Sequence, residues 1–329
     1  MWKTARSPFL EKGLFDYRGC LVNDQEEKQL NALAKYFRYH NVGYLFVLPA
    51  LIYMIVFVGY PIISNIILSF QDVTVATLNA PVKPFIGFDN YAQLFSDGII
   101  WTALFNTLIF TVSCIILQFV IGFALALLFT KHFSFAGPVR GLSLIPWMIP
   151  MTITALIFKF IFSTDVGVLN NVLSGLGLIS QNIDWLTTPS TAMIAVILTN
   201  VWIGIPFNMI LISTGLTTIP VELYESAAID GATKRQSFFK ITLPLLKPTI
   251  SAVLILGFIY TFKVFDLVYV MTGGGPVNST HLLSTYSYKL SFSLFEYSKG
   301  SAVANVLFVV LLIASLIYLK LAYKEEEAL

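Results

Sequence analysis

The 329-residue chain is 57% hydrophobic and 15% aromatic but only 12% charged, with a formal net charge of +2. A soluble domain carries about twice that share of charged residues, and the basic residues are spread along the chain, leaving no footprint for nucleic acid. Cys20 lies in a polar stretch and Cys114 in an apolar one, so no disulfide framework is indicated. The composition is that of an all-α polytopic membrane protein.

Residues 1–41 are polar and rich in Lys and Arg, without an apolar run at the start. No cleavable signal peptide is expected, and the first span must serve as its own anchor. Within this tail Asn23 and Asp24, followed by Glu26 and Glu27, resemble a capping box. Leu30, Leu33, Ala34 and Phe37 then share one helical face. The expectation is a short amphipathic helix, lying on the membrane or on a partner or leading into the first span.

Residues 42–329 read as one domain. Six segments are long enough to cross about 30 Å of hydrocarbon, which takes roughly 20 residues: 43–70, 102–130, 139–162, 191–215, 249–271 and 302–320. Backbone polar groups in lipid must pair within the segment, so each is expected to be helical. Pro49, Pro61, Pro146, Pro150 and Pro206 are expected to kink several of them. Fifteen Lys and Arg residues fall in the tail, the 131–140 turn, the 216–248 loop and the C-terminus. Three, Lys83, Lys289 and Lys299, fall on the other side. The positive-inside rule then predicts cytoplasmic termini and a cytoplasmic 216–248 loop.

That loop is the longest polar interruption after the tail. Pro220 suits a helix start, where its missing N–H costs nothing. Glu222 and Glu225 sit near the positive end of the helix dipole. Ser226, Ala227 and Ala228 add little bulk, and Gly231 permits the left-handed turn that ends a helix. A short, smooth helix with a sharp exit suits docking into a cleft of another protein.

Catalytic signatures are missing. No G-x-x-x-x-G-K-[ST] occurs, so no P-loop holds ATP. Gly273-Gly274-Gly275 runs into Pro276 and reads as a turn. His40, His132 and His281 lack metal-ligand spacing. No serine or cysteine has a nucleophile context, and enzymatic catalysis by this chain is not expected.

Ionisable residues inside spans are functional candidates by default; here they are Lys159, Lys263 and Asp266. Lys263 and Asp266, three apart on one expected helix, are placed to pair on one face. Snorkelling to the outer interface accounts equally for Lys159 and competes with a functional role for Lys263. Counting at 1.5 Å per residue puts Trp147 about 12 Å, Phe207 about 10 Å and Tyr260 about 16 Å from the inner ends of their spans. Three rings on three helices thus share a depth, and flat aromatic faces suit the C–H groups of sugars.

Glu225, Ala227, Gly231, Ile241, Leu243 and Pro244 fit E-A-A-(three)-G-(nine)-I-x-L-P, with Ser226 where Ala is usual. This resembles the cytoplasmic loop of the membrane subunits of type I binding-protein-dependent ABC importers, and ELYE and IDGA are similar to their carbohydrate-uptake branch. PVKPFIGFDNYAQLF resembles the F-x-G-x-x-N-[FY] stretch common after the first span in that family. The resemblance implies a six-helix permease fold and an ATP-driven carbohydrate importer. It implies a homologous second permease, two ATPase subunits that hold ATP and Mg, and an extracytoplasmic solute-binding protein. It implies that Glu225, Ser226, Ala227, Asp230 and Gly231 couple to the ATPase.

LSLIPWMIP, NVWIGIPFNMI and GFIYTFKVFDLVYVMTGGGP are similar to stretches that contact sugar in maltose-transporting members. The matching positions are Trp147, Met151, Ile203, Gly204, Phe207, Gly257, Tyr260, Thr261 and Val264. Met151, Gly257 and Val264 stand where polar residues occur in those members. Two other readings stay open at this stage: an ion-coupled transporter using Lys263 and Asp266, and the same architecture with a non-sugar cargo.

Overall fold

The computed structural model describes residues 44, 46–130 and 135–326. The helix expected between Asn23 and Phe37, together with Cys20, His40 and His132, lies outside the described residues. The chain divides into two compact units, one ending at Ser64 and the other beginning at Asn65.

The first unit holds most of helix α1, Phe46–Ser69. Pro61 lies well inside this helix. One wide π turn, Ile55–Gly59, lies directly ahead of it, with Tyr60 N–H donating to the Ile55 carbonyl. A proline ring crowds the carbonyl four residues back, and the wider turn moves that carbonyl aside.

The second unit continues with α2 (Asp89–Ser96), α3 (Gly98–Phe129), α4 (Ala136–Leu142), α5 (Ile145–Met148), α6 (Met151–Ile161), α7 (Val168–Gly175) and α8 (Pro189–Thr217). After these come α9 (Val221–Ile229), α10 (Lys234–Ser237), α11 (Leu243–Leu245), α12 (Lys247–Phe262), α13 (Asp266–Met271), α14 (Leu283–Tyr288) and α15 (Tyr297–Glu326). Among the described residues the only extended pairing is one bridge between Gln71 and Phe85.

Four helices, α1, α3, α8 and the part of α15 up to Lys320, are long and apolar enough to span a membrane. The expected third and fifth spans are each bent, and the count reaches six if each bent pair is one span. The expected 139–162 helix unwinds at Ile149 and Pro150, with a 99° bend between Ala136–Met148 and Met151–Ile161. Pro150 cannot donate to the preceding turn and also forces Ile149 out of helical geometry. The fifth is bent by 62° between Lys234–Leu245 and Lys247–Phe262. A second π turn, Phe238–Thr242, again sits just ahead of a proline, Pro244. This span also stops early: the expected 249–271 helix breaks after Phe262 and restarts at Asp266. Sixteen residues rise only about 24 Å, so the break falls within the bilayer's thickness.

Helices α3 and α8 form the central pair, held close by small residues. A Cβ on Gly122 would meet the Asn208 Cβ at 2.6 Å, and one on Gly204 would meet the Gln118 amide at 2.3 Å. One polar bond crosses the same contact: Gln118 Nε2 donates to the Asn200 carbonyl at 2.9 Å. One apolar cluster gathers Phe110, Cys114, Val196, Leu267 and Met271, tying α13 to α3 and α8. Another packs Ile100, Phe262, Leu283 and Val303 at the far end of α12.

The F-I-G-F-D-N-Y stretch has a physical reason. Gly87 turns the chain at φ +61°. Asn90 then donates to the carbonyls of Ser69 and Gln71, both at 2.8 Å, closing the last turn of α1. Tyr91 Oη meets Ser69 Oγ at 2.9 Å, and Asn305 Nδ2 donates to that same Oγ at 2.9 Å. Asn65 Nδ2 donates to Asn305 Oδ1 at 2.7 Å, so the polar side chains leave no vacancy in this network.

The TGGGP turn packs against His281, whose ring occupies the place a Gly274 Cβ would take. Burial, aided by the positive charge of Lys289, lowers the His281 pKa from 6.5 to about 4. The neutral ring is the folded form, with Nδ1 3.2 Å from Thr285 Oγ1. A depressed histidine pKa means that the open segment binds the proton more readily, so stability is retained above pH 6.5 and lost as pH falls toward 4. Amide protection factors in residues 273–286, corrected for intrinsic exchange, should therefore fall between pH 6 and pH 4, and His281→Gln should flatten that dependence.

Candidate functional site

The site is built where two interruptions of regular helix meet the continuous helix α8. The Ile149–Pro150 break carries Trp147 and Met151 on the two sides of a bend. Helix α8 supplies Ile203, Gly204 and Phe207, one turn apart. Helix α12 supplies Gly257, Tyr260 and Thr261, and its ruptured end supplies Lys263, Val264 and Asp266. All eleven line a single cavity of about 560 Å³. Gln118, Ile149, Asn200 and Phe265 complete its wall and were missed by the sequence reading. Gln118 and Asn200 carried a usable signal, since an amide inside an apolar run needs a partner. Ile149 and Phe265 carried none, because their exposure follows from backbone breaks.

The aromatic side chains come together as a row. The Trp147 and Phe207 centroids are 6.3 Å apart, and Phe207 meets Tyr260 edge to face at 5.7 Å. This edge-to-face arrangement suits ring quadrupoles and leaves faces free. Trp147 is 57% and Tyr260 54% exposed, so both rings present their surfaces to the cavity rather than to the core. A Cβ on Gly257 would meet nothing within 4 Å, which marks the wall there as thin and the space as open.

The ionisable residues depart from expectation. Lys263 and Asp266 do not share a helix: Lys263 caps the end of α12 and Asp266 opens α13. Among the described residues the one ion pair joins Lys299 and Glu296 at 3.3 Å, so Lys263 and Asp266 are not paired. The Lys263 Nζ instead lies 5.4 Å from the Tyr260 ring centroid, within the range of a cation–π contact. The break is supported from α14, where Ser284 Oγ donates to the Val264 carbonyl. Lys159 does not line the cavity. It donates to the Val270 carbonyl at 3.3 Å, at the last turn of α13, rather than only snorkelling.

A second candidate feature lies apart from the cavity. Pro220 is the N-cap of α9, one residue ahead of the helix, and Glu222 lies in the first turn. At the other end Gly231 N–H donates to the Ala228 carbonyl at 3.1 Å, and Ala232 N–H to the Ala227 carbonyl at 2.9 Å. That pair of bonds is a Schellman motif, made possible by Gly231 at φ +77°. Thr233 and Gln236 form a capping box that starts α10 immediately afterwards. Tyr224 Oη meets Thr242 Oγ1 at 2.9 Å and fixes α9 against the following segment. Glu225, Ser226, Asp230 and Gly231 are exposed, and Ala227 is half-buried. Ile229 is 87% exposed at the helix end, an apolar tip with no cover. Among the described residues no group of three or more His, Cys, Asp or Glu side chains could hold a metal ion.

Residues 118–323 match the family described as "Binding-protein-dependent transport system inner membrane component". The trehalose/maltose transport system permease protein MalF of Thermococcus litoralis is 36% identical, over 89% of this chain and 97% of its own length. The sulfoquinovosyl glycerol transport system permease protein SmoG of Agrobacterium fabrum is 39% identical, over 84% and 89%. Among solved structures, a chain of a bacterial ABC transporter involved in import of the acidic polysaccharide alginate is 27% identical. It superposes with a TM-score of 0.75, covering 89% of this chain and 99% of that one. A chain of the MetNI methionine transporter, at 18% identity and a TM-score of 0.51, shares the fold alone. With the apolar helices, the broken spans and the capped α9 in place, this chain belongs to the inner membrane components of binding-protein-dependent transport systems.

Proposed function

We propose that the chain is one of two membrane subunits of an ATP-driven carbohydrate importer and forms half of its translocation path. The carrying observation is the aromatic row Trp147–Phe207–Tyr260 on a cavity with few, separated polar groups. That is the lining expected of a pocket that stacks sugar rings and orients them by a few hydrogen bonds. The named cargoes of MalF and SmoG support the carbohydrate class. A relative solved with an alginate-bound periplasmic protein supports a solute-binding partner.

The complete complex would hold this chain, a homologous second permease, two ATPase subunits and an extracytoplasmic binding protein. ATP and Mg would belong to the ATPases, and this chain would bind no cofactor. Residues 42–329 would form the six-helix permease domain, preceded by the cytoplasmic tail 1–41, with both termini and the 216–248 loop in the cytoplasm. Helix α9 would seat in an ATPase cleft, with Glu225 facing a basic residue there. Ser226, Ala227 and Gly231 would permit close approach, and Asp230 would lie at the rim. Closure of the ATPases on ATP would tilt α9 and rock the spans, opening the cavity alternately to the two sides.

The ion-coupled alternative needs Lys263 and Asp266 as a relay, and they are separated by a helix break and unpaired. A direct test is Tyr260→Ala. ATP-driven uptake of the cognate sugar should fall by about tenfold, the scale of losing one stacking face, while association with the ATPase is unchanged. Unaltered uptake would remove Tyr260 from the path.

A further inference from the structure

The cavity contains two full charges that neutralise neither each other nor a neighbouring side chain. Lys263 and Asp266 both line it, and no ion pair joins them. The backbone break at Val264 and Phe265 keeps them apart, with Ser284 holding the Val264 carbonyl. Lys263 stands at the carbonyl end of the sixteen-residue α12, where a cation is favoured, and beside the Tyr260 ring. Asp266 is the acidic residue of the first turn of α13.

Resting on the carbohydrate reading above, we propose that this split pair sets the charge class of the cargo: a neutral saccharide bridges Lys263 and Asp266, and acidic saccharides are discriminated against. The ammonium offers three donors and the carboxylate about four acceptor positions. A sugar ring stacked on Tyr260 presents hydroxyl hydrogens to Asp266 and ring or hydroxyl oxygens to Lys263. A neutral cargo satisfies both groups without bringing a charge of its own out of water. A uronate gains attraction from Lys263, loses it to repulsion from Asp266, and still bears the cost of desolvating its own carboxylate. The formal charges of the cavity sum to zero, so nothing else there offsets that cost.

The test uses the complete transporter in nanodiscs, with maltose and a diuronate of the same length as probes and equilibrium dialysis as the readout. The wild type should bind maltose at least about tenfold more tightly than the diuronate, the scale set by one like-charge juxtaposition in a binding site. Asp266→Asn, nearly isosteric, should shift that ratio toward the diuronate by about tenfold or more. Lys263→Met should weaken both probes and widen the ratio in favour of maltose. Co-elution with the partner subunits establishes that each variant is assembled. If maltose binds but the ratio ignores Asp266→Asn, or the wild type prefers the diuronate, the charge assignment is overturned and the carbohydrate reading stands. If neither probe binds, both fall together.

Discussion

Gly257→Phe is expected to stop cargo movement while leaving the membrane complex assembled. The glycine sits inside α12, where any other non-proline residue favours the helix by up to about 1 kcal/mol. A Cβ there meets no atom within 4 Å, so a side chain has room to leave the helix toward the 560 Å³ cavity that Gly257 lines. Helix stability is therefore kept or improved, and the occupied volume is the volume a sugar needs. Uptake should fall by about 100-fold or more, as expected of a clash built into a binding site. Gly257→Ala, adding one methyl at the wall, should cost far less. Equal loss in both variants would show that the glycine serves helix packing instead.

Gly231→Val should lose transport by a different route: assembly with the ATPase and continued ATP hydrolysis, uncoupled from uptake. Space is not the obstacle, since a Cβ at Gly231 meets nothing within 4 Å. The obstacle is the backbone at φ +77°, where a left-handed conformation costs an L-residue roughly 1–2 kcal/mol and a β-branched one more. Escape from that strain breaks the bonds to the Ala227 and Ala228 carbonyls and frays the end of α9, turning Ile229 away from its seat. Uptake per ATP hydrolysed should drop by about tenfold, comparable to the strain energy. Gly231→Asn, which tolerates the left-handed region, should retain most of the coupling. Full coupling in the valine variant would remove α9 from the force path.

Much of this architecture was legible from residue order. The apolar runs at 43–70, 102–130, 191–215 and 302–320 became helices with ends shifted by a few residues, because helix length in an apolar run follows composition. The end of α9 was legible because Gly231 takes a left-handed backbone angle that few other residues can. The three rings were legible by counting rise along helices, which is safe where helices are regular. The failure lay at Lys263–Phe265. No proline or glycine marks that break; it depends on a carbonyl partner, Ser284, twenty residues on, and apolar runs say nothing of where backbone bonds are given up. The same break undid the expected Lys263–Asp266 pair, since an i, i+3 relation holds only while the helix continues. At Pro146 and Pro150 a kink was foreseen but not its 99° size.

The central claim is that a separate ATPase, acting through α9, drives sugar through the cavity beside Tyr260. Its most direct test is uptake of a labelled cognate sugar by proteoliposomes holding this chain and its partner permease, loaded with binding protein, with and without the ATPase subunits and ATP. The account predicts concentrative uptake only when ATPase and ATP are both present, and indifference to proton and sodium gradients. Uptake sustained by an ion gradient without the ATPase would contradict it.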